Sequence, residues 1–454
     1  MSLEVEQTLR TTFQIHPNMK IFKLAIISLL FFTHQLYAQS YGNFDKVPFA
    51  IGLFPPINTN GSNAGNCINQ VSLNLISGYS GGLSGIEFAG LTNTERDFVR
   101  GVQFAGFGNF VNGEFTGLQY AGFANFNRSI ARGFQFAGFG NFNYDEANGV
   151  LFSGFANFTN GKSLALQMAG FANFCEDVEG IQASGFANIV KGDGKVFQFA
   201  GLSNITMGNV NGSQLAGFLN YSKEKMEKLQ IAGVVNIAQG DVKGLQLAGL
   251  TNIANGDLDG SQIAGFLNVA KNIDGFQLGV INIADTIQHG VPIGVLSIVR
   301  DGFHELEISA GEALNTQVAF KIGVDQFYNI FAVGTQYFGP EFMWGVGYGI
   351  GTHLIQRGQF KTQLELMSFH INEGSEWTNT YNDLQQIKLN FSKKISDHTA
   401  IFVAPTINLL ITDKKMIDGK PFESRFAPYS LYSHSGDHTT LKGWIGLTAG
   451  IHFN

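Results

Sequence analysis

Two histidines close together in the chain could hold a metal ion. His434 and His438 are four residues apart, with Asp437 beside the second. On a helix this spacing would place both imidazoles on one face, where they could share a metal. However, Gly436 lies between them, and the surrounding residues are typical of a loop. We therefore expect a solvated loop here and no metal site.

Glycine-rich segments can also indicate phosphate binding. Four glycines from Gly345 to Gly351 alternate with larger residues, but the Lys-Ser/Thr pair of a phosphate-binding loop does not follow them. No nucleophile elbow and no Ser/His/Asp arrangement can be assembled from the spacing. We expect no catalytic residues, no cofactor and no enzymatic activity.

Composition limits the class of protein. The 454 residues include 57 Gly and 43 Phe, and only 14% are charged, whereas ordinary soluble domains have about 25%. This composition suits β-structure with closely stacked backbones, or a surface that faces a membrane. The net charge is −7 and there is no basic block, which argues against nucleic acid as a partner.

One ten-residue phrase recurs through the middle of the chain. The phrase is Gly-apolar-Gln-apolar-Ala-Gly-apolar-small-Asn-apolar, as in Gly101–Phe110. Its third position recurs at intervals of 16 residues, with two intervals of 15. The residues there are Glu87, Gln103, Gln119, Gln135, Leu151, Gln167, Gln182, Gln198, Gln214, Gln230, Gln246, Gln262, Gln277 and Ile293. A fixed period of this kind predicts a repeat architecture.

Repeats of constant length can stack as a parallel solenoid or form the strands of a barrel. A solenoid requires coils of equal length, whereas an up-and-down barrel alternates short turns with longer loops. The near-constant spacing favours a parallel β-solenoid of 16-residue repeats, about 65 Å long if the coils are about 4.8 Å apart. Because the phrase also alternates like a membrane-crossing strand of about ten residues, a large barrel that contains the repeats is the alternative.

The side chains of the repeat support stacking in register. Gln would lie on Gln and Asn on Asn, in ladders whose amides satisfy one another. Val102 and Phe104 flank Gln103 on the opposite strand face, and we expect such apolar side chains to fill the interior. Between Gly101 and Ala284 the phrases carry a single charge, Lys228. We expect one charged edge, made of the linkers, as the solvated turns of the coils; the alternative is that the uncharged amide face docks a repetitive partner such as a glycan or another coil stack.

The start of the chain is typical of an exported protein. A basic segment, Met19–Lys23, precedes an apolar run and the small residue Ala38, as in a secretory signal peptide. We expect residues 1–38 to be an extension and a signal peptide, and residues 39–84 to be a lead-in and cap for the open end of the stack. Cys67 and Cys175 lie in different segments, so free thiols are expected, with a disulfide as the alternative.

After the solenoid of residues 85–300, residues 301–454 change to longer alternating runs. The eight strand-like runs are His304–Gly311, Thr316–Val324, Phe327–Phe338, Phe342–Gln356, Phe360–Ile371, Leu384–Lys393, Ala400–Thr412 and Leu441–Phe453. One apolar face, alternating short and long connections and an aromatic residue near the end predict a C-terminal antiparallel β-domain, an eight-stranded outer-membrane barrel. A soluble β-sandwich is the alternative.

Charged residues on the other face of these strands would lie in the barrel lumen. They are Glu305, Glu307, Lys321, Lys361, Glu365 and Lys388. Because side chains fill the interior of an eight-stranded barrel, we expect opposite charges to pair across the lumen.

Three features of the chain resemble an uncharacterised family of bacterial surface-repeat proteins. They are the repeat phrase, the lead-in from Phe54-Pro55-Pro56 to Asn60-Gly61 and the segment Phe303–Phe331. The resemblance runs from roughly Phe49 to the end of the chain; it implies a place in the cell envelope and supplies no activity or catalytic residues.

The sequence as a whole predicts an exported, non-catalytic surface protein of a Gram-negative cell envelope, at the outer membrane or the cell surface, with a structural or adhesive role. Its expected partners are the outer membrane and either a glycan or other envelope proteins. The alternative is an outer-membrane pore or transport protein in which the repeats are barrel strands.

Overall fold

The computed structural model describes residues 44–338, 341–374, 377, 380–413, 416–417 and 420–453. These residues form one large parallel stack of strands followed by a closed antiparallel sheet. The proposed signal peptide and its cleavage site lie outside the described residues. Within the described ranges, no helix has the length and apolar character needed to cross a membrane.

Each coil of the stack contains one long and one short strand. In one coil these are Phe115–Ala121 and Ala124–Asn127. Gln119 pairs with Gln135 and Asn125 with Asn141, in parallel and sixteen residues apart. The parallel β-solenoid is therefore confirmed. The alternative of repeats as barrel strands is wrong, because such strands would have to alternate in direction.

The stack begins ahead of the first repeat phrase. Its first strands, β1, β3 and β4, already pair in parallel, and a 3₁₀ turn spans Gly61–Asn66. The strands of the stack are β1 (Asp45–Phe54), β2 (Ile57–Asn58), β3 (Cys67–Asn74), β4 (Ser77–Ala89), β5 (Thr92–Ala105), β6 (Gly108–Val111), β7 (Phe115–Ala121), β8 (Ala124–Asn127), β9 (Ala131–Ala137), β10 (Gly140–Asn143), β11 (Ala147–Ser153), β12 (Ala156–Thr159), β13 (Ser163–Ala169), β14 (Ala172–Cys175), β15 (Val178–Ser184), β16 (Ala187–Val190), β17 (Gly194–Ala200), β18 (Ser203–Thr206), β19 (Val210–Ala216), β20 (Leu219–Ser222), β21 (Met226–Ala232), β22 (Val235–Ala238), β23 (Val242–Ala248), β24 (Thr251–Ala254), β25 (Leu258–Ala264), β26 (Leu267–Val269), β27 (Asn272–Leu278), β28 (Ile281–Ala284), β29 (Thr286–His289), β30 (Pro292–Ile293) and β31 (Leu296–Val299).

Glycine is required where successive coils approach most closely. Gly101, Gly117 and Gly133 have positive φ angles of 148°, 138° and 128°. A Cβ atom on Gly117 would lie 1.9 Å from the carbonyl oxygen of Gly101. A side chain at Gly117 would both strain the backbone and push the coils apart, whereas Ala165, Val196 and Lys228 occupy the corresponding position in three other coils.

The amides lie inside the solenoid and the apolar residues beside them point outward. Gln119 and Asn125 are completely buried, whereas Tyr120, which follows Gln119, is 53% exposed. The expectation of an apolar interior with an outer amide face is therefore wrong for this part of the coil. The physical reason is that a fully paired amide ladder leaves few polar groups unsatisfied, so its burial costs little. The large apolar side chains of the interior lie at its far end, as at Val99 and Phe115, and small buried alanines such as Ala121 and Ala124 lie near the tip.

Each coil has a tip, where an Ala-Gly turn joins its long strand to its short strand. The residue after this turn is apolar in every coil, and together these residues form the tip row. The tip row is Leu91, Phe107, Phe123, Phe139, Phe155, Phe171, Phe186, Leu202, Phe218, Val234, Leu250, Phe266, Val280 and Val295. From Phe107 to Phe186 the rings stack with centroids 4.7–4.9 Å apart. We call the tip row, with the outward residues after Gln and after Asn, the apolar edge.

The opposite edge of the solenoid carries the charges. It is formed by the linkers between each short strand and the next long strand, and we call it the charged edge. Its ion pairs join neighbouring coils, as in Lys191 with Glu176 at 3.5 Å and Lys225 with Asp241 at 3.5 Å, and these side chains are exposed. In cross-section the solenoid is therefore amphipathic, which confirms the predicted charged edge.

The C-terminal strands close into an eight-stranded antiparallel barrel. They are β32 (Phe303–Gly311), β33 (Thr316–Val324), β34 (Phe327–Gln336), β35 (Met343–Arg357), β36 (Phe360–Glu373), β37 (Asn382–Ser396), β38 (Thr399–Asp413) and β42 (Thr439–Phe453). Pairing of β32 with β42 closes the sheet. In the last long connection, β39 (Met416–Ile417) pairs with β40 (Lys420–Pro421), and β41 (Tyr432–Ser435) pairs with β42. The predicted barrel is confirmed, and the sandwich alternative is wrong.

The last coil of the solenoid ends against the outer wall of the barrel. The backbone N–H of Ser297 donates to Oδ1 of Asn329, whose Nδ2 donates to the carbonyl oxygen of Gly294, both at 2.8 Å. Ile322 lies on the outward face of β33 but is 8% exposed, whereas Phe320 on the same face is 44% exposed. The barrel wall therefore covers the open hydrogen-bonding edge of the stack.

Candidate functional site

A cluster of charged side chains in the barrel lumen is the candidate site. Strand alternation points them inward, and each is at most 2% exposed. The cluster consists of Glu305 and Glu307 on β32, Lys321 on β33, Glu365 on β36, Lys388 on β37 and His452 on β42. Five strands thus contribute to one ionic network.

Lys321 is at the centre of this network. Its Nζ atom lies 3.0 Å from Glu305, 2.8 Å from Glu307 and 2.6 Å from Glu365. The hydroxyl of Tyr328 donates to the same Glu365 oxygen at 3.2 Å. One ammonium group therefore joins carboxylates from two separate strands.

The second ammonium group of the network belongs to Lys388. It pairs with Glu307 and lies 3.5 Å from Glu365, and its Nζ atom is 4.7 Å from the centre of the Phe402 ring. Nε2 of His452 lies 3.2 Å from Glu307, and its ring stacks on Phe402 at 4.2 Å. The network contains three carboxylates and two ammonium groups, with an imidazole between carboxylates of β32.

The network occupies the lumen and cross-links its wall. Burying these charges is tolerable only because each finds opposite charge at short range. The predicted pairing across the lumen is confirmed for five of the six residues. The sixth, Lys361, is half-buried near the end of the barrel, with Nζ 4.5 Å from the centre of the Phe303 ring. The charged side chains of this network contact one another and do not line an open cleft. The network therefore fills the lumen at this level.

The last long connection closes the other end of the lumen. Phe426 is completely buried in the barrel core with Trp444, and its carbonyl oxygen accepts a hydrogen bond from Gln336. The hydroxyl of Ser424 donates to Glu373. The lumen is therefore filled at two levels, which does not suit the predicted alternative of a transport pore.

The amide ladders, which sequence reasoning offered as a docking face, are unavailable to a partner. From Asn93 to Asn282 each Asn Nδ2 donates to the Oδ1 of the next Asn at 2.8–3.0 Å. From Gln167 to Gln277 the Gln residues are linked in the same way at 2.7–2.8 Å. These side chains are buried and already paired, so they do not form the outer amide face that the docking alternative requires.

The remaining candidate groups stay separate. His434 lies on β41 and His438 in the turn that follows, in an exposed antiparallel hairpin rather than a helix. Among the residues that the structure describes, no three His, Cys, Asp or Glu side chains are placed to bind a metal. Cys67 and Cys175 are free and buried, and burial raises the pKa of the Cys175 thiol to about 12.

No family model, curated protein or solved structure matches this chain. The resemblance to bacterial surface-repeat proteins therefore stays a prediction. Any function proposed for this chain therefore rests on the residues of its own fold.

His452 of the site and Asn329 at the joint with the solenoid were not singled out from the sequence. His452 alternates with Gly446, Thr448 and Gly450, so its inward position followed from the pattern, although its partners did not. Asn329 gave no signal beyond lying near the start of an otherwise apolar strand. Its role becomes visible only where the last coil meets the barrel.

Proposed function

We propose that this is an exported, non-catalytic protein of the Gram-negative cell envelope. In this proposal the barrel is inserted in the outer membrane and the solenoid has a structural role. The observation that supports it most is the polarity of the barrel: an ionic network is buried inside it together with an apolar core, and its outward face is largely apolar.

The outward face of the barrel is largely apolar, with polar residues such as Ser368, His370, Asp383 and Gln385 near the long-loop end. The exposed outward residues include Ile308, Val318, Phe320, Val333, Leu366, Ile387, Val403, Ile407, Leu447 and Ile451, each 37–59% exposed. A water-soluble barrel would bury such side chains and expose the charges that this barrel encloses. Apolar-out, polar-in alternation is the pattern of transmembrane barrels.

The two ends of the barrel differ in the way such barrels do. At one end the strands are joined by two-residue turns, as between β33 and β34. At the other end the connections are longer, and aromatic residues gather there: the rings of Trp344 and Trp377 lie 5.8 Å apart, and Tyr381 is 47% exposed. Short turns face the periplasm and long loops face outward in barrels of this kind, and aromatic residues mark the interface.

This orientation favours a structural role over an adhesive one. The solenoid joins the barrel at Phe303, beside the short turns, so it lies on the periplasmic side in this proposal. Its amides are buried and its ion pairs are made between its own coils. An adhesive surface would have to lie on the other side of the membrane.

Fractionation and epitope accessibility test the proposal. The full chain is expressed with its signal peptide in a Gram-negative host, with one epitope inserted beside Asp437 in a long loop and, in a second version, beside Asn160 in the solenoid. We expect recovery in the outer-membrane fraction and a shift in gel mobility on heating. The loop epitope should be detected on intact cells, and the solenoid epitope only after the outer membrane is permeabilised.

Recovery in a detergent-free soluble fraction would refute membrane insertion. Detection of the solenoid epitope on intact cells would instead refute the periplasmic orientation and restore the adhesive role. Detection of the loop epitope only after permeabilisation, together with the solenoid epitope on intact cells, would mean that the barrel is inserted with its long loops inward.

A further inference from the structure

We propose that the apolar edge of the solenoid is embedded in the lipid leaflet beside the barrel, so that the solenoid lies along the membrane surface. The proposal rests on the proposed function, because it requires the barrel to be in the membrane. Three observations lead to it: the apolar edge itself, the position of the joint and the pairing of the backbone.

The apolar edge is too extensive to face water. All fourteen residues of the tip row are apolar, and Phe107, Phe218, Leu250 and Phe266 are each 45–49% exposed. The row after Gln is equally apolar, with Phe199 43% exposed. Soluble monomers rarely expose apolar patches larger than a few hundred Å², whereas this edge extends along a stack of about 65 Å.

The joint with the barrel sets which way the apolar edge faces. The tip of the last coil meets the barrel wall above its short-turn rim: the hydroxyl of Tyr348 donates to the carbonyl oxygen of Gly294 at 3.4 Å. Tyr348 pairs with Phe331, four residues beyond the turn that precedes β34, which is about 13 Å along the strand. The tip is therefore level with the lipid-facing wall of the barrel.

The charged edge of the same coil lies at the rim. Asp301 belongs to this edge, and only Gly302 separates it from the start of β32 at Phe303. Gly302 packs against the carbonyl oxygen of Gly323, where a Cβ atom would lie only 2.3 Å away. The apolar edge thus points toward the hydrocarbon and the charged edge toward water, and the apolar surface of the solenoid continues that of the barrel.

The stacking direction supports a position along the membrane. Ser297 presents its backbone N–H to Asn329 on the outer wall, so the free edge of the last coil faces the barrel and the other coils extend sideways from it. A backbone at the depth of lipid must satisfy its hydrogen bonds internally. Coil-to-coil pairing does this for every strand of the repeat, and the amide side chains at the tip are paired as well.

A lipid leaflet fits this edge better than a second copy of the chain. The apolar residues occur on both sides of the tip and at the tip itself, so a flat partner would cover only one of the three rows. A leaflet surrounds all three, as it surrounds the apolar face of an interfacial helix, to a depth of about 5–10 Å. The first and last residues of the tip row, Leu91 and Val295, are also apolar, so the apolar edge runs the whole length of the stack.

Lipid-borne quenching of single labels tests the proposal on the full chain. Starting from Cys67→Ala with Cys175→Val, single cysteines are introduced by Phe218→Cys at the tip, Glu224→Cys at the charged edge of the same coil and Val333→Cys on the outward face of the barrel. Each is labelled with an environment-sensitive fluorophore and reconstituted in phosphatidylethanolamine–phosphatidylglycerol vesicles that carry nitroxide in the upper acyl chain. Heat-modifiable mobility confirms that each variant is folded, and Phe155→Cys provides a second tip position.

We expect severalfold stronger nitroxide quenching at Phe218 and Phe155 than at Glu224, and the reverse order for aqueous iodide. If nitroxide quenches the label at position 333 but quenches the two tip labels no more than the label at position 224, the solenoid inference is overturned and the barrel proposal stands. If Val333 is not quenched by lipid, both are overturned. Tip labels shielded from lipid and from iodide, with energy transfer between copies, would overturn the lipid inference in favour of a second copy.

Discussion

Replacing one rung of the Asn ladder should destabilise the solenoid strongly and locally. Asn157 donates to Oδ1 of Asn173 and to the carbonyl oxygen of Met168, both at 2.9 Å, and accepts from Nδ2 of Asn141 at 2.9 Å. Asn157 also donates to the carbonyl oxygen of Leu151 at 3.2 Å, so Asn157→Leu keeps the volume but removes all four bonds. The Oδ1 of Asn173 and one N–H of Asn141 are then buried without a partner. At about 1–3 kcal/mol for each unsatisfied group, the cost is about 2–6 kcal/mol.

The matched control is Asn160→Leu, in the same coil and three residues away. Asn160 is exposed and its side chain makes no ladder contact, so this change should be close to neutral. Hydrogen–deuterium exchange with mass spectrometry on the detergent-solubilised full chain measures the difference coil by coil. With about 1.4 kcal/mol per tenfold change, amides near Asn157 should exchange about 30-fold to about 10⁴-fold faster in Asn157→Leu. Barrel peptides should be unchanged, because repeats contact only their neighbours.

Equal exchange in Asn157→Leu and Asn160→Leu would refute the reasoning, since it would mean that the ladder contributes no stability beyond its backbone. Acceleration that extends equally into the barrel would also contradict it, because the stack would then unfold as one unit.

Three further predictions concern titratable groups. Lys321→Met should destabilise the barrel by about 3–5 kcal/mol, because it leaves buried carboxylates without their counter-charge; urea unfolding followed by gel mobility should show a much smaller effect for Lys361→Met. Burial raises the pKa of Glu87, and burial together with the neighbouring Glu87 charge raises that of Glu95 well above its usual range. Above about pH 4.3 the folded chain therefore holds protons that the unfolded chain releases, so the stability of the first coils should fall as the pH rises from there. In thermal unfolding, Glu95→Gln should flatten this pH dependence. The control Glu114→Gln, at an exposed position, should leave the dependence unchanged. Cys175, with its pKa raised to about 12, should resist alkylation at pH 8 until the chain is unfolded. Rapid alkylation of Cys175 in the folded protein, detected by mass spectrometry, would contradict its burial.

Period and alternation were sufficient to predict the architecture. The constant spacing of the Gln position predicted the coils, and strict alternation in runs such as Thr316–Val324 predicted the barrel strands, with that run matching β33 from end to end. Both patterns are local properties of the chain, so they can be read without knowing its long-range contacts.

The side of the coil that faces inward could not be read from hydrophobicity. The usual rule that apolar residues are inside fails here because Gln and Asn satisfy one another along the stack. A usable signal was nevertheless present: the Gln and Asn positions keep their identity in most copies, with Glu87, Leu151 and Ile293 as exceptions at the Gln position, whereas the residue after Gln varies more widely, as in Phe104, Met168 and Ile231. A ladder needs identical rungs, but an outward row needs only apolar character. The contacts of Lys321 were beyond the sequence, since they depend on the stagger of the closed barrel.

The column of glycines through Gly101, Gly117 and Gly133 has an evolutionary consequence. Most coils meet their neighbours through the same close backbone contact, and Glu87 and Asn329 make specialised contacts at the two ends. An in-frame duplication or deletion of a repeat that has this glycine would therefore recreate the same junction. The rod could lengthen or shorten between generations in steps of about 4.8 Å.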